Sequence, residues 1–116
     1  MLKDKNLYSV EILPSTRKEK KYMAVFKNKD NKKIKTIAFG AKGFRDYTLL
    51  WDKKSPFYID NEEERKKVRT LYIDRHKKRE NWALPDNPGS LSRWVLWNKP
   101  TLEGSIIDYK SKFKLK

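Results

Sequence analysis

At 116 residues the chain is long enough for one domain. Its 29 lysines and arginines against 15 acidic residues leave a net charge of +14. With no cysteine and a single histidine, disulfides, a thiolate nucleophile and any Cys- or His-built metal centre are excluded. Only 37% of residues are hydrophobic, yet aromatics reach 13%, so a small aromatic core is expected rather than a disordered chain.

The first six residues are polar and predict a frayed tail; residues 7–116 read as a single small basic domain. Tyr8, Val10 and Ile12 alternate with polar neighbours, the period of a half-buried strand that Pro14 and Ser15 end. A second strand follows from Tyr22 to Lys27 and a third from Ile34 to Phe39. The turn between them has no apolar residue and carries Lys29, Lys32 and Lys33 at its tip. The expectation is an α+β fold, with a three-stranded antiparallel sheet over about 7–39 and helices over about 61–80, 90–98 and 101–113.

Gly40 and Gly43 fall in one loop, which predicts a tight strand exit with positive φ. Lys42 and Arg45 sit on its rim, but the closing Gly-Lys-Ser/Thr of a phosphate loop is missing. Residues 49–58 are aromatic and irregular, and wrap the core in this reading. Asp60 or Asn61 caps the longest helix, and Glu62, Glu63 and Glu64 suit the positive end of its dipole. Its apolar stripe is thin (Val68, Leu71, Tyr72, with Ile73 at the edge), while Arg65 and Arg69 read as parts of its solvated faces. Arg75, His76, Lys77, Lys78 and Arg79 form the strongest basic run in the chain.

The densest apolar block lies at 89–100, where Ser90 reads as a helix cap and Pro100 as its stop. Leu91, Trp94 and Val95 share a face that Leu96 and Trp97 widen, so this helix is expected to plug the core. The competing reading makes Trp94 or Trp97 an exposed platform for stacking bases. Thr101 caps a last helix whose stripe is Leu102, Ile106, Tyr109 and Phe113. Residues 1–43 carry 12 basic and 4 acidic side chains (+8), residues 44–86 carry 11 and 9 (+2), and residues 87–116 carry 6 and 2 (+4).

Three segments, Phe39-Gly-Ala-Lys-Gly-Phe-Arg-Asp-Tyr-Thr48, Tyr72-Ile-Asp-Arg-His-Lys-Lys-Arg-Glu-Asn-Trp82 and Leu91-Ser-Arg-Trp-Val-Leu-Trp-Asn-Lys-Pro-Thr-Leu102, are familiar in order and spacing. Together they resemble a family of small, basic, uncharacterised proteins of large double-stranded DNA viruses, the chlorella viruses and mimivirus relatives. That resemblance implies a virion or a cytoplasmic viral factory as the setting. It implies no chemistry.

Catalysis is not expected: no arrangement of nucleophile, histidine and carboxylate suggests itself, and neither a cofactor nor a metal is called for. Self-repulsion at this charge density favours a polyanionic partner. The leading expectation is a non-enzymatic protein that binds nucleic acid, double-stranded DNA without sequence specificity, through phosphate contacts. The contacts would be Lys29, Lys32, Lys33, Lys42, Arg45, Arg75, Lys77, Lys78, Arg79 and Arg93. The alternative is a minor capsid or scaffold protein that meets acidic surfaces of virion neighbours, with Trp51 and Phe57 as exposed anchors. No apolar run is long enough for a transmembrane helix, and the polar N-terminus argues against secretion.

Overall fold

A computed structural model describes residues 4–116. The chain follows the expected α+β plan. Strands β1 (Ser9–Pro14), β2 (Lys20–Lys27) and β3 (Lys33–Ala41) form an antiparallel sheet in the order β1-β2-β3. Then come α1 (Tyr47–Trp51), α2 (Glu62–His76), α3 (Pro88–Leu91), a π-helical segment (Ser92–Leu96) and α4 (Leu102–Phe113). No helix among the described residues is long and apolar enough to cross a membrane.

The expected tail falls partly outside the described residues, at 1–3. Residues 4–6 form a turn in which the Asp4 carboxylate accepts from the Asn6 N–H at 2.9 Å and the Asp4 carbonyl from the Leu7 N–H at 3.1 Å. The turn seats Leu7 in the core and leaves Tyr8, expected inside, 40% exposed. In the sheet, Tyr22 of β2 faces Phe39 of β3, with ring centroids 6.0 Å apart. Ala24, Phe26 and Phe39 are fully buried.

The tryptophan-rich block is the core plug the sequence predicts. Leu91, Val95, Leu96 and Trp97 are all buried, packed with Tyr109 and Phe113 of α4 and with Phe26 and Phe39 of the sheet. Each such side chain contributes roughly 1.5–3 kcal/mol on leaving water. The helix itself differs from the expected 90–98. Asn87, not Ser90, is its cap and accepts from the Ser90 N–H at 2.8 Å, with Pro88 at the first helical position. Ser90 is buried and donates its hydroxyl to the Asn81 carbonyl.

From Ser92 the ladder widens to i→i+5, with the Trp97 N–H donating to the Ser92 carbonyl at 3.0 Å. The wider turn lets Val95, Leu96 and Trp97 point inward in succession, which a regular α-helix of 3.6 residues per turn would not allow. Side chains satisfy the backbone this frees: the Asn98 amide donates to the Trp94 carbonyl at 3.0 Å and Arg93 to the Trp97 carbonyl at 2.9 Å.

Helix α2 starts where expected, with Asn61 as its cap, but it ends at His76 rather than near residue 80. Beyond His76, which still stacks on Tyr72, residues 77–79 are exposed and carry no apolar side chain to extend the buried face, and packing rather than propensity sustains helices of this length. The buried face of α2 is Arg65, Val68, Arg69, Tyr72 and His76, at i, i+3, i+4, i+7 and i+11. Two arginines thus complete the thin apolar stripe. Arg65 lies 4.1 Å over the Trp51 ring and donates to the Ile59 carbonyl at 2.6 Å. Arg69 sits over Tyr47 and donates to the Asn98 carbonyl. Leu71, assigned to the stripe by sequence, is instead 51% exposed. The unexpected helix α1 is capped by Asp46.

Candidate functional site

Segments 39–48, 72–82 and 91–102 are far apart in sequence, yet side chains from each of them line one cleft of about 380 Å³. The glycine loop supplies Gly40, Ala41, Phe44, Arg45 and Asp46, the end of α2 supplies Tyr72, His76 and Glu80, and the core plug supplies Ser92, Leu96 and Trp97. Lys20 and Lys21 enter from β2.

The loop owes its shape to two residues with positive φ, Gly40 at 79° and Gly43 at 89°. A Cβ at Gly40 would stand 2.8 Å from Leu96 Cδ1, so the loop needs glycine there for space as well as for conformation. Beyond Gly43 the chain is clamped. Lys21 Nζ donates to the Phe44 carbonyl at 2.6 Å and pairs with the Asp46 carboxylate at 2.7 Å. The other oxygen of Asp46 accepts from the Leu49 N–H and the Thr48 hydroxyl, which starts α1. This buried hub presents Lys42, Phe44 and Arg45 outward. Phe44 is 69% exposed.

The opposite wall is a ladder of rings. Trp97 lies against Tyr72 with centroids 4.3 Å apart and planes within 5°, and His76 lies against Tyr72 at 4.2 Å and 21°. Both partners are stacked that closely, so they occupy opposite faces of Tyr72 and His76 ends the ladder. The His76 Nδ1 is 3.0 Å from Glu80, whose other oxygen accepts from the Trp82 indole N–H at 2.8 Å. Burial holds the Tyr72 phenol well above its ordinary range, so this ring of the ladder stays uncharged.

The expected site residues divide into three groups. Lys42 and Arg45 stand at the loop tip and the cleft mouth. Arg75 is exposed on the last turn of α2, and Lys77, Lys78 and Arg79 are exposed in the turn that joins His76 to Glu80. Lys77 pairs with Asp74 at 3.4 Å; Lys42, Arg45, Arg75, Lys78 and Arg79 have no ion pair among the described residues. Lys29, Lys32 and Lys33 are at the far end of the sheet: from Lys33 to Ala41, the first and last residues of β3, the rise of about 3.3 Å per step amounts to roughly 26 Å.

Arg93 is a correction. It is 9% exposed, donates to the Trp97 carbonyl and lies 4.2 Å from the Trp94 ring centre, with Trp82 beyond. Burial, with Arg69 nearby, pushes its pKa down to about 10. It packs the core and is not presented to a phosphate. Trp94 is likewise no free platform, since Arg93 and Lys112 each lie 4.2 Å from its ring centre. Trp97 is buried. The exposed ring that sequence reasoning passed over is Phe44, and its signal was an apolar residue set between cations in a glycine loop. His76 and Glu80 were missed as cleft residues because their neighbours lie in other segments.

A model for a family of unknown function, DUF5754, matches residues 10–55, which span the sheet, the glycine loop and α1. No curated protein and no solved structure matches the chain.

Proposed function

We propose that this protein binds nucleic acid without catalysis, through phosphate contacts made by the cations around the cleft. The observation that carries the reading is the set of Lys42, Arg45, Arg75, Lys78 and Arg79, exposed cations without carboxylate partners among the described residues, on the two elements that frame one cleft. Solvated helix faces usually pair their charges at i, i+3 or i, i+4, as Lys66 does with Glu62 and Lys67 with Glu64 at the start of α2. At its other end Lys77 pairs with Asp74, but Arg75, Lys78 and Arg79, like Lys42 and Arg45 on the loop, have no carboxylate partner among the described residues and are left for a partner. A backbone polyanion fits, because it gains affinity from every cation by counterion release and demands no base readout. The hairpin-tip lysines extend the basic surface to the far end of the sheet, about 26 Å away, the rise of some seven or eight base pairs. A virion core or viral factory is the setting in which such a protein would package a genome.

The alternative, a scaffold that docks on acidic virion proteins, was to be anchored by Trp51 and Phe57. Both are half-buried and packed against the core.

The test is fluorescence anisotropy of a labelled random duplex, repeated from about 50 to 200 mM salt. With six or more phosphate contacts, affinity falls about a thousandfold or more over that range. Replacing Arg75 and Lys78 by alanine flattens the slope of log affinity against log salt by about two. Absence of binding at the lowest salt removes this function.

A further inference from the structure

Phosphate contacts explain the cations but not the rings. Phe44 is 69% exposed at the mouth of the cleft, with Lys42 and Arg45 on either side of it in the loop. Singly exposed apolar side chains are ordinary, and Ile107 is as exposed as Phe44, but at Phe44 the position is enforced and faces a cleft. The carbonyl of Phe44 itself is gripped by Lys21, and the loop can close on the core plug only because residue 40 has no Cβ. Across the cleft the ladder Trp97–Tyr72–His76 terminates in a histidine whose side chain is 34% exposed. Its outer face is where a fourth ring would continue the stack. Glu80 fixes the orientation of that imidazole through Nδ1. The volume, about 380 Å³, is at the small end of the roughly 300–1,000 Å³ that small-molecule pockets span.

We infer that the cleft captures an unpaired nucleobase, stacked between Phe44 and the open face of His76, while the cations of the loop and of the α2 end hold the phosphates on either side. The inference rests on the nucleic-acid reading and adds to its phosphate contacts a preference for strands with at least one base free of its complement. Stacking tolerates any base, since every base has a π face, so the preference is for unpaired over absent bases rather than for one sequence. In this arrangement the ladder needs no charge to work. It offers flat rings, and the cations of the loop and of the α2 end stand outside them.

The experiment compares two labelled strands of about 12 nucleotides, within the span that single-strand sites cover. One is all thymidine; the other keeps every phosphate and sugar but is abasic throughout. The protein, its Phe44→Ala variant and its Phe44→Trp variant are titrated against both at constant salt. The wild type is expected to bind the thymidine strand about 5- to 150-fold more tightly, the value of one stacked base. Phe44→Ala should remove that difference and leave the abasic affinity unchanged, and Phe44→Trp should keep it. Because Phe44 is exposed, neither change disturbs the core. Equal affinity of the wild type for the two strands, or a preference that survives Phe44→Ala, overturns base capture while the phosphate reading stands. No binding of either strand overturns both.

Discussion

The molecule has two basic ends, and they are built differently. The hairpin tip at residues 28–32 is a solvated turn. Its bonds are local: the Asn28 side-chain oxygen accepts from the N–H groups of Asp30 and Lys32. The loop end at residues 40–46 rests on a buried ion pair, a helix cap and two glycines in positive φ, and it faces a wall of stacked rings. Charge density is similar at both. Only the second holds its cations in a fixed geometry around a concave surface. Net charge alone singles out no place on a surface; rigid support beneath particular charges does.

That contrast can be broken first at Lys21. Lys21→Met leaves the Asp46 carboxylate buried without its cation, a loss of about 3–5 kcal/mol in stability. Urea unfolding followed by tryptophan fluorescence measures it, and a loss under about 1 kcal/mol would mean the loop is anchored elsewhere. Gly40→Ala comes next. It combines a disfavoured positive φ with a Cβ 2.8 Å from Leu96, for about 2–4 kcal/mol. Gly43→Ala has the same φ problem but open space around it, so its expected cost is smaller, about 1–2 kcal/mol. The difference between the two variants reports the close approach by itself. At the tip, replacing Lys29, Lys32 and Lys33 together should change stability by no more than about 0.5 kcal/mol per residue. It should also weaken duplex binding less than Lys42→Ala with Arg45→Ala does, and a larger loss from the tip would reverse the ranking of the two ends.

A pH scan sharpens the picture of the core behind the loop end. Burial raises the phenols of Tyr109, Tyr72 and Tyr22 above the ordinary value of 10. Above about pH 10 the unfolded chain gives up these protons while the folded protein keeps them, so stability falls as pH rises. Arg93 acts in the opposite sense: its folded pKa of about 10 is below the ordinary 12.5, so stability gains from it between those values and offsets part of the loss. Thermal midpoints measured from pH 8 to about 11.5 should therefore drop beyond pH 10. Tyr109→Phe should make the drop shallower, at the cost of about 1–3 kcal/mol throughout for the carbonyl of Pro85 that loses its buried donor.

Much of the fold was legible because single segments encode it. Thr101 with the stripe Leu102, Ile106, Tyr109 and Phe113 gave the last helix within its observed bounds, and the strand alternation with a polar turn gave the hairpin. Gly40 and Gly43 announced their positive φ. What stayed hidden depends on neighbours from elsewhere. Arg65, Arg69 and Arg93 read as solvent-facing because charge ordinarily seeks water, yet the aromatic rings of Trp51, Tyr47 and Trp94 take them in. Helix α1 was concealed in an aromatic stretch with no clear period. The cleft could not be read at all, since Phe44, His76 and Ser92 meet only through the fold.

The end of the described chain has a consequence for how the protein behaves in a crowd of its own kind. After Lys114 takes a left-handed turn, Leu115 is buried and the backbone of Lys116 exchanges hydrogen bonds with Tyr8 and Val10, at 3.0 Å each. A single residue thereby occupies part of the outer rim of β1, where another chain could otherwise add a strand. At the β3 edge Lys33 is exposed, a charge that repels a like-charged newcomer, while Lys35 is paired with Asp86 at 2.8 Å. A three-stranded sheet is a ready template for growth into fibres, and this one is blunted on one side by its own chain and on the other by charge.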